Sequence, residues 1–394
     1  MKSIRARLGL FLLASLLLVA VTASPAAAKG KAPAVLSPVA FYIADAPQPV
    51  LATDGKMHLA YELRFDNQSD LEVSAASVQA LSRGKAIGSR FSGTLLESVL
   101  RIDGGFNGLT IPPGGSGTIF MDVAYSPKAK QPRSLLHRIV LVGQAPGQPA
   151  AQQTFAFTGV PTAVAQRPAI EVAPPLRGPG WVVSNGCCSP PNAHRGATLA
   201  INGTAHAPER FAIDFVQLNG EDRLFSGPLG LNSSYAYFGA PIHSATPGTV
   251  VRVHDGLPEQ TPGALPAAAT VQNAGGNYVV VAIGRGRYAF YAHMQPGSIR
   301  VKKGDRVRSG EVLGRLGNTG NTDAAHLHFH IMDSPSPLEA NGLPFTFTTM
   351  SGEGHVSQPG VLQTGAIVPV DRAAFTGRRR GQMPMNEQVV GFPR

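Results

Sequence analysis

The amino-acid sequence predicts an all-β protein built as two domains, on three observations. Glycine and proline, 45 and 33 of the 394 residues, make up about a fifth of the chain and punctuate it with turns throughout. Between those turns, stretches recur in which apolar and polar residues alternate, as strands buried on one face require. Helical periodicity is scarce, and 366 residues remain once an N-terminal leader is set aside, a length suited to two domains.

That leader opens Met1-Lys2-Ser3-Ile4-Arg5-Ala6-Arg7, continues with an apolar run from Leu8 to Val21 and reaches Ala26-Ala27-Ala28-Lys29. A basic start, a short apolar core and an Ala-x-Ala site predict a secretory signal peptide over residues 1–28, cleaved after Ala28. The mature protein is then exported, periplasmic or extracellular. No later stretch is long and apolar enough to cross a bilayer, so the mature chain is expected to have no transmembrane segment.

The whole chain carries a net charge of +10, and the leader accounts for three basic residues and no acid, leaving +7. A basic exported protein is drawn to polyanions such as cell-wall polymers or anionic lipid surfaces, and a generic solvated basic surface accounts for the charge equally well. Nucleic acid is not expected as a partner, because export argues against it and no RNA- or DNA-binding motif occurs. The two cysteines, Cys187 and Cys188, are adjacent, and within one chain they can only pair with each other. Such a bond would fix the turn Asn185-Gly186-Cys187-Cys188-Ser189-Pro190-Pro191, and adjacent thiolates do not have the spacing of a zinc site.

The first domain is predicted over 35–162. Met57, Leu59, Tyr61, Leu63 and Phe65 alternate with His58, Ala60, Glu62 and Arg64, a half-buried strand ended by Asp66-Asn67. Ile119, Met121, Val123 and Tyr125 repeat the pattern after Pro112-Pro113-Gly114-Gly115, and Val140, Val142, Phe155 and Phe157 supply more strand material. Turns at this spacing suggest an antiparallel sandwich, immunoglobulin-like in outline. Nothing in it looks catalytic, so it reads as a spacer or adhesion module. Residues 163–180 hold four prolines and read as a linker; 181–347 form a second β-rich domain, and 348–394 a C-terminal extension. In that extension Val389-Val390-Gly391-Phe392 suggests a terminal strand docking back, and Arg378-Arg379-Arg380 a solvated loop.

The chemistry concentrates in the second domain. His326-Leu327-His328 follows the run Gly317-Asn318-Thr319-Gly320 and opens a strand-like stretch through Phe329 and Ile331. Side chains at i and i+2 of a strand share a face about 6–7 Å apart, close enough for two imidazoles to serve one metal. His330 shares that face and could orient a neighbour or simply be a satisfied strand histidine. Upstream, Tyr278–Ile283, Gly284-Arg285-Gly286 and Arg287–His293 read as a β-hairpin ending on a histidine.

Ala212-Ile213-Asp214-Phe215, the stretch from Gly239 to Val251, Tyr291-Ala292-His293, Val301-Lys302-Lys303-Gly304-Asp305-Arg306-Val307, Gly317-Asn318-Thr319-Gly320 and His326-Leu327-His328-Phe329 together resemble the lysostaphin-like zinc metallopeptidases. The resemblance runs from Arg210 to Ile331. It implies a barrel-sandwich hybrid fold and a Zn2+-dependent endopeptidase that cuts peptide cross-links of bacterial peptidoglycan, with stem peptides as its partners, cell-wall association and a monomeric state. It implies Asp214 and His328 as zinc ligands and His293 and His326 as catalytic histidines. One position departs: the family's first ligand is a histidine four residues before the aspartate, and Arg210 stands there.

Two histidines could fill the gap. A register setting His194 opposite Asp214 would bring their side chains about 5 Å apart. A tight turn at Asn202-Gly203 would instead pair His194 with Phe211, and His206 is the second candidate. The missing histidine also keeps open a degenerate relative that binds the wall and activates other hydrolases. Biotinyl and lipoyl carriers share the Val301–Glu311 motif, but no modifiable lysine pair occurs.

Overall fold

The computed structural model describes residues 34–105, 108–145, 151–188, 192–267 and 269–394. The predicted signal peptide lies outside them. The described chain is nearly all strand, with one short helix, Gly93–Val99, and two 3-10 turns. None of its helices is long and apolar enough to cross a membrane.

In the N-terminal part, one sheet runs in the order Val39–Ile43, Met57–Asn67, Ser116–Tyr125 and Leu100–Ile102, with Val50–Leu51 added against Met57–Asn67. A second runs Gln153–Ala163, Ser134–Gln144, Glu72–Ser82 and Lys85–Ser92, with Thr110–Ile111 against Glu72–Ser82. Leu59, Tyr61, Leu63 and Phe65 meet Val73, Val78, Ile139 and Leu141 in one apolar core between the sheets. Alternation along Met57–Asn67 therefore places its apolar set as the sequence predicts. Its other face is not solvated: His58, Ala60 and Glu62 are buried as well. The reason is docking, since Val50 and Ala60 belong to the larger core of the C-terminal part.

That larger core backs a long antiparallel sheet. Its order is Arg306–Val307, Gly248–His254, Asn277–Gly284, Arg287–Met294, Leu327–Met332, Ile213–Gln217, Gly178–Ser184, Gln388–Phe392, Met350–Val356 and Val370–Arg379, with Gly342–Leu343 added against Leu327–Met332. Four central strands set the site. Asp214 lies directly opposite His328 on one side and Ser184 on the other, while Ala292 faces His328 across the far edge. Ile213, Phe215, Leu327 and Phe329, on the reverse of those strands, are fully buried.

The proline-dense segment 163–180 is packed. Ile170–Val172 pairs in parallel with Phe345–Phe347, and Val164, Val172 and Leu176 are buried. Its prolines flank the apolar residues, and Pro179 falls at a register shift of the strand Gly178–Ser184, where a missing ladder N–H is tolerated. The tail past residue 347 supplies three strands of the long sheet. The arginines at 378 and 379 end its edge strand rather than a loop, with Arg379 stacked over Phe375.

One pairing differs from the expected register. Leu199–Ile201 and Thr204–His206 form a short hairpin turning at Asn202-Gly203, both at positive φ. That is the tight-turn register, and the long pairing that would face His194 with Asp214 does not form. Cys187 and Cys188 are bonded to each other and buried.

Candidate metal centre

Asp214 gathers the site. Its Oδ2 lies 3.1 Å from His194 Nε2 and accepts from Asn185 Nδ2 at 2.9 Å. Its Oδ1 lies 2.9 Å from His328 Nδ1 and 3.3 Å from His326 Nε2. His194 thus reaches the aspartate after all, carried by the loop 192–196 instead of by a strand pair. His206 does not line the groove that holds these groups. Ligand atoms of His194, Asp214 and His328 all lie within 4.8 Å of one another, and so do those of His293, His326 and His328.

The outward nitrogen of each ring is already committed. His194 Nδ1 faces the carbonyls of Asn185 and Ala212 at 3.0 and 3.1 Å. His293 Nδ1 donates to Thr319 O at 2.7 Å, and His326 Nδ1 to Ala324 O at 2.8 Å. His328 Nε2 meets His330 Nδ1 at 2.9 Å. A carbonyl can only accept, so Nδ1 of the first three rings carries the proton and Nε2 turns inward. Imidazole nitrogens turned toward a carboxylate are donors of the kind zinc takes, and His194, Asp214 and His328 form one group of three.

Charge points the same way. Burial works against the Asp214 carboxylate, but His194 and His326 hold it well below the usual range. Burial likewise disfavours the charged His194, yet Asp214 pushes it up to about 9. The carboxylate draws positive charge to itself, and a bound divalent cation would supply it in place of protons. His293 is pushed well down, first by burial and then by His326 and His328, and stays neutral. Its backbone sits at φ +62°, a region non-glycine residues rarely adopt and one that recurs at functional sites.

The local sequence explains the placement. Gly317 pairs with His326, and a Cβ at Gly317 would stand 2.5 Å from Gln295 N, so only glycine lets this segment pack against 294–295. Gly276 and Gly320 press against each other similarly, which sets Thr319 O under His293. Thr322 Oγ1 donates to Ala324 O at 2.7 Å just ahead of His326. Sequence reasoning missed Asn185, which reads only as a turn residue in Asn-Gly, and Glu209, whose carboxylate is 4.0 Å from His328 Nε2. Arg210, at the departing position, turns away from the centre toward Glu62 and Asp45.

The site opens on a groove of about 1140 Å³. Leu265, Val271, Pro337 and Leu338 line it, together with Leu362 and Glu387 of the C-terminal extension.

Residues 230–340 match the model of Peptidase family M23, and the chain carries a domain of that family there. The matched span holds His293, His326 and His328; His194 and Asp214 precede it. Among curated proteins, the chain is 38% identical over 65 residues to the peptidoglycan DD-endopeptidase ShyA of Vibrio cholerae, covering 16% of this chain and 15% of that protein. It is 27% identical over 135 residues to the glycyl-glycine endopeptidase ALE-1 of Staphylococcus capitis, covering 32% and 33%. To lysostaphin of Staphylococcus simulans it is 24% identical over 174 residues, covering 42% and 30%. The chain therefore spans no more than about a third of these relatives' length. Among solved structures, the catalytic domain of lysostaphin from Staphylococcus simulans is similar at 23% identity, over 42% of this chain and 88% of that one, with a TM-score of 0.23. The M23 metalloprotease pseudoalterin is similar at 21% identity, over 42% and 71%, with a TM-score of 0.23.

Proposed function

We propose that the protein is an exported zinc metalloendopeptidase that hydrolyses peptide cross-links of bacterial peptidoglycan. The observation that carries the reading is the convergence of His194 Nε2, the Asp214 carboxylate and His328 Nδ1, with His293 and His326 beside them. His194, Asp214 and His328 would hold the metal, and His194 replaces the ligand lost at Arg210. Zinc bound there supplies Lewis acidity, which polarises a scissile carbonyl and acidifies a water.

The chain's own groups do the rest. His293 and His326 have Nδ1 anchored on carbonyls and Nε2 inward, so each can take or return a proton only at Nε2. In its protonated form His326 Nε2 donates to the oxyanion that develops as the carbonyl becomes tetrahedral. The apolar groove walls hold the peptide and exclude water from the flanks. Peptidoglycan as substrate rests on the names of the curated relatives, and export and wall association rest on the leader and the basic charge.

Arg210 favours a second reading, a degenerate wall-binding activator of other hydrolases. Digestion of purified sacculi by the mature protein, with fragments read by mass spectrometry, separates the two. New amino termini that vanish with chelator and return with zinc are expected. No fragments from folded protein would leave the activator reading.

A further inference from the structure

The loop that carries His194 is anchored in the N-terminal part of the molecule. Arg195, 2% exposed, sends its guanidinium to the Glu62 carboxylate and to the main-chain oxygens of Tyr61 and Met121, at 3.3 and 3.1 Å. Gly196 packs so closely that a Cβ there would stand 2.3 Å from the Arg101 guanidinium. Arg101 and Arg195 both lie over the Phe120 ring, at 5.7 and 5.4 Å.

The approach to Asp214 is held by the same carboxylate. Arg210 Nε donates to both oxygens of Glu62, at 3.1 and 2.8 Å, and its terminal nitrogen reaches Glu62 and Asp45. One buried glutamate thus grips two guanidiniums. One is covalently next to His194, and the other stands four residues before Asp214. Burial would keep Glu62 protonated, but the two arginines override it and bring its pKa down to about 2. The carboxylate is therefore charged, and without it two cations would be left buried with a single half-exposed counter-charge, Asp45.

We infer that Glu62 is a positioning residue for the metal site, holding His194 and Asp214 in ligand geometry through Arg195 and Arg210, so that the N-terminal part completes the centre. The inference rests on the reading that His194, Asp214 and His328 hold zinc. It also accounts for Arg210: the position that no longer supplies a ligand supplies the tie that holds its replacement.

The test is zinc affinity of the full mature chain, by competition with a chromophoric chelator, together with the visible spectrum of the cobalt form. Glu62→Gln is expected to lose about 10-fold or more in affinity, the scale of losing an outer-shell partner, and to alter the cobalt bands. Asp122→Asn, which weakens a different, partly buried ion pair made to the same strand at His58, is the control. It is expected to lower the melting temperature and leave zinc affinity unchanged. If Glu62→Gln does not fold, Glu62→Asp keeps the charge with a shorter reach and is expected to shift affinity and bands in the same direction. Wild-type affinity and spectrum in either folded variant would overturn the inference, as would an equal loss in Asp122→Asn. A wild-type chain that takes up no zinc would instead overturn the reading of the site itself.

Discussion

At the scale of single residues, ligand and proton carrier are separable by measurement. His194→Ala removes one of three close donors, and metal affinity is expected to fall by about 100-fold or more, with activity following it. His326→Ala leaves all three donors in place. Its zinc content is expected to match wild type, while kcat/KM drops by about 10²–10⁴, the range of a lost acid–base group. Equal zinc loss in the two variants, read by metal analysis after dialysis, would refute this division of labour. His330→Phe removes the partner of His328 Nε2 without opening a cavity. Its affinity is expected to fall about 10-fold, a smaller effect than losing a ligand.

Among the elements, the contact between 273–276 and 317–320 depends on absent side chains. At Gly320, φ is +86° and a Cβ would stand 2.3 Å from Gly276 N. Gly320→Ala is expected to cost about 2 kcal/mol or more, from the left-handed backbone and the forced separation together. Urea titration checks it, and a midpoint unchanged from wild type would mean that the two segments slide apart freely. The strand Met57–Asn67 carries a pH signature. The folded-state pKa of Glu62 lies at about 2, below its ordinary 4.5, so its stabilisation is full above about pH 4.5 and is lost as pH falls toward 2. His137, buried beside Tyr61, is pushed down to about 4 by burial, so its share is full above about 6.5 and lost toward 4. Wild type is expected to lose stability through both windows. Glu62→Gln, measured by urea midpoints, should lose little more in the lower one.

For the whole molecule, residues from Ser37 to Arg394 form one compact unit. Val50 and Ala60 lie in the larger core, Met383 N donates to Leu51 O at 2.9 Å, and Thr53 Oγ1 meets Gln388 Oε1 at 2.6 Å. Calorimetry of the mature chain is therefore expected to give one cooperative transition. Two resolved transitions would show that the N-terminal sheets are an independent module. A chain starting at 163 would expose Arg195 and Arg210 without Glu62 and is expected to be insoluble or partly unfolded.

The sequence by itself determined the all-β class, the alternation that lines the N-terminal core, and the segments bearing Asp214, His293, His326 and His328. Those features are local. Strand period, turn residues and an i, i+2 pair are set by neighbours along the chain. Asp214 and His328 were marked by the family resemblance, and their pairing across neighbouring strands came from the structure. Other features needed the tertiary structure. His194 reaches Asp214 through a loop whose path is set by Arg195 and Glu62, residues 133 positions apart. The polar face of Met57–Asn67 looks solvated in sequence and is buried in fact, because the partner that covers it lies in the other half of the chain. Charge partnership and docking depend on which surfaces meet, and no periodicity in a single strand encodes that.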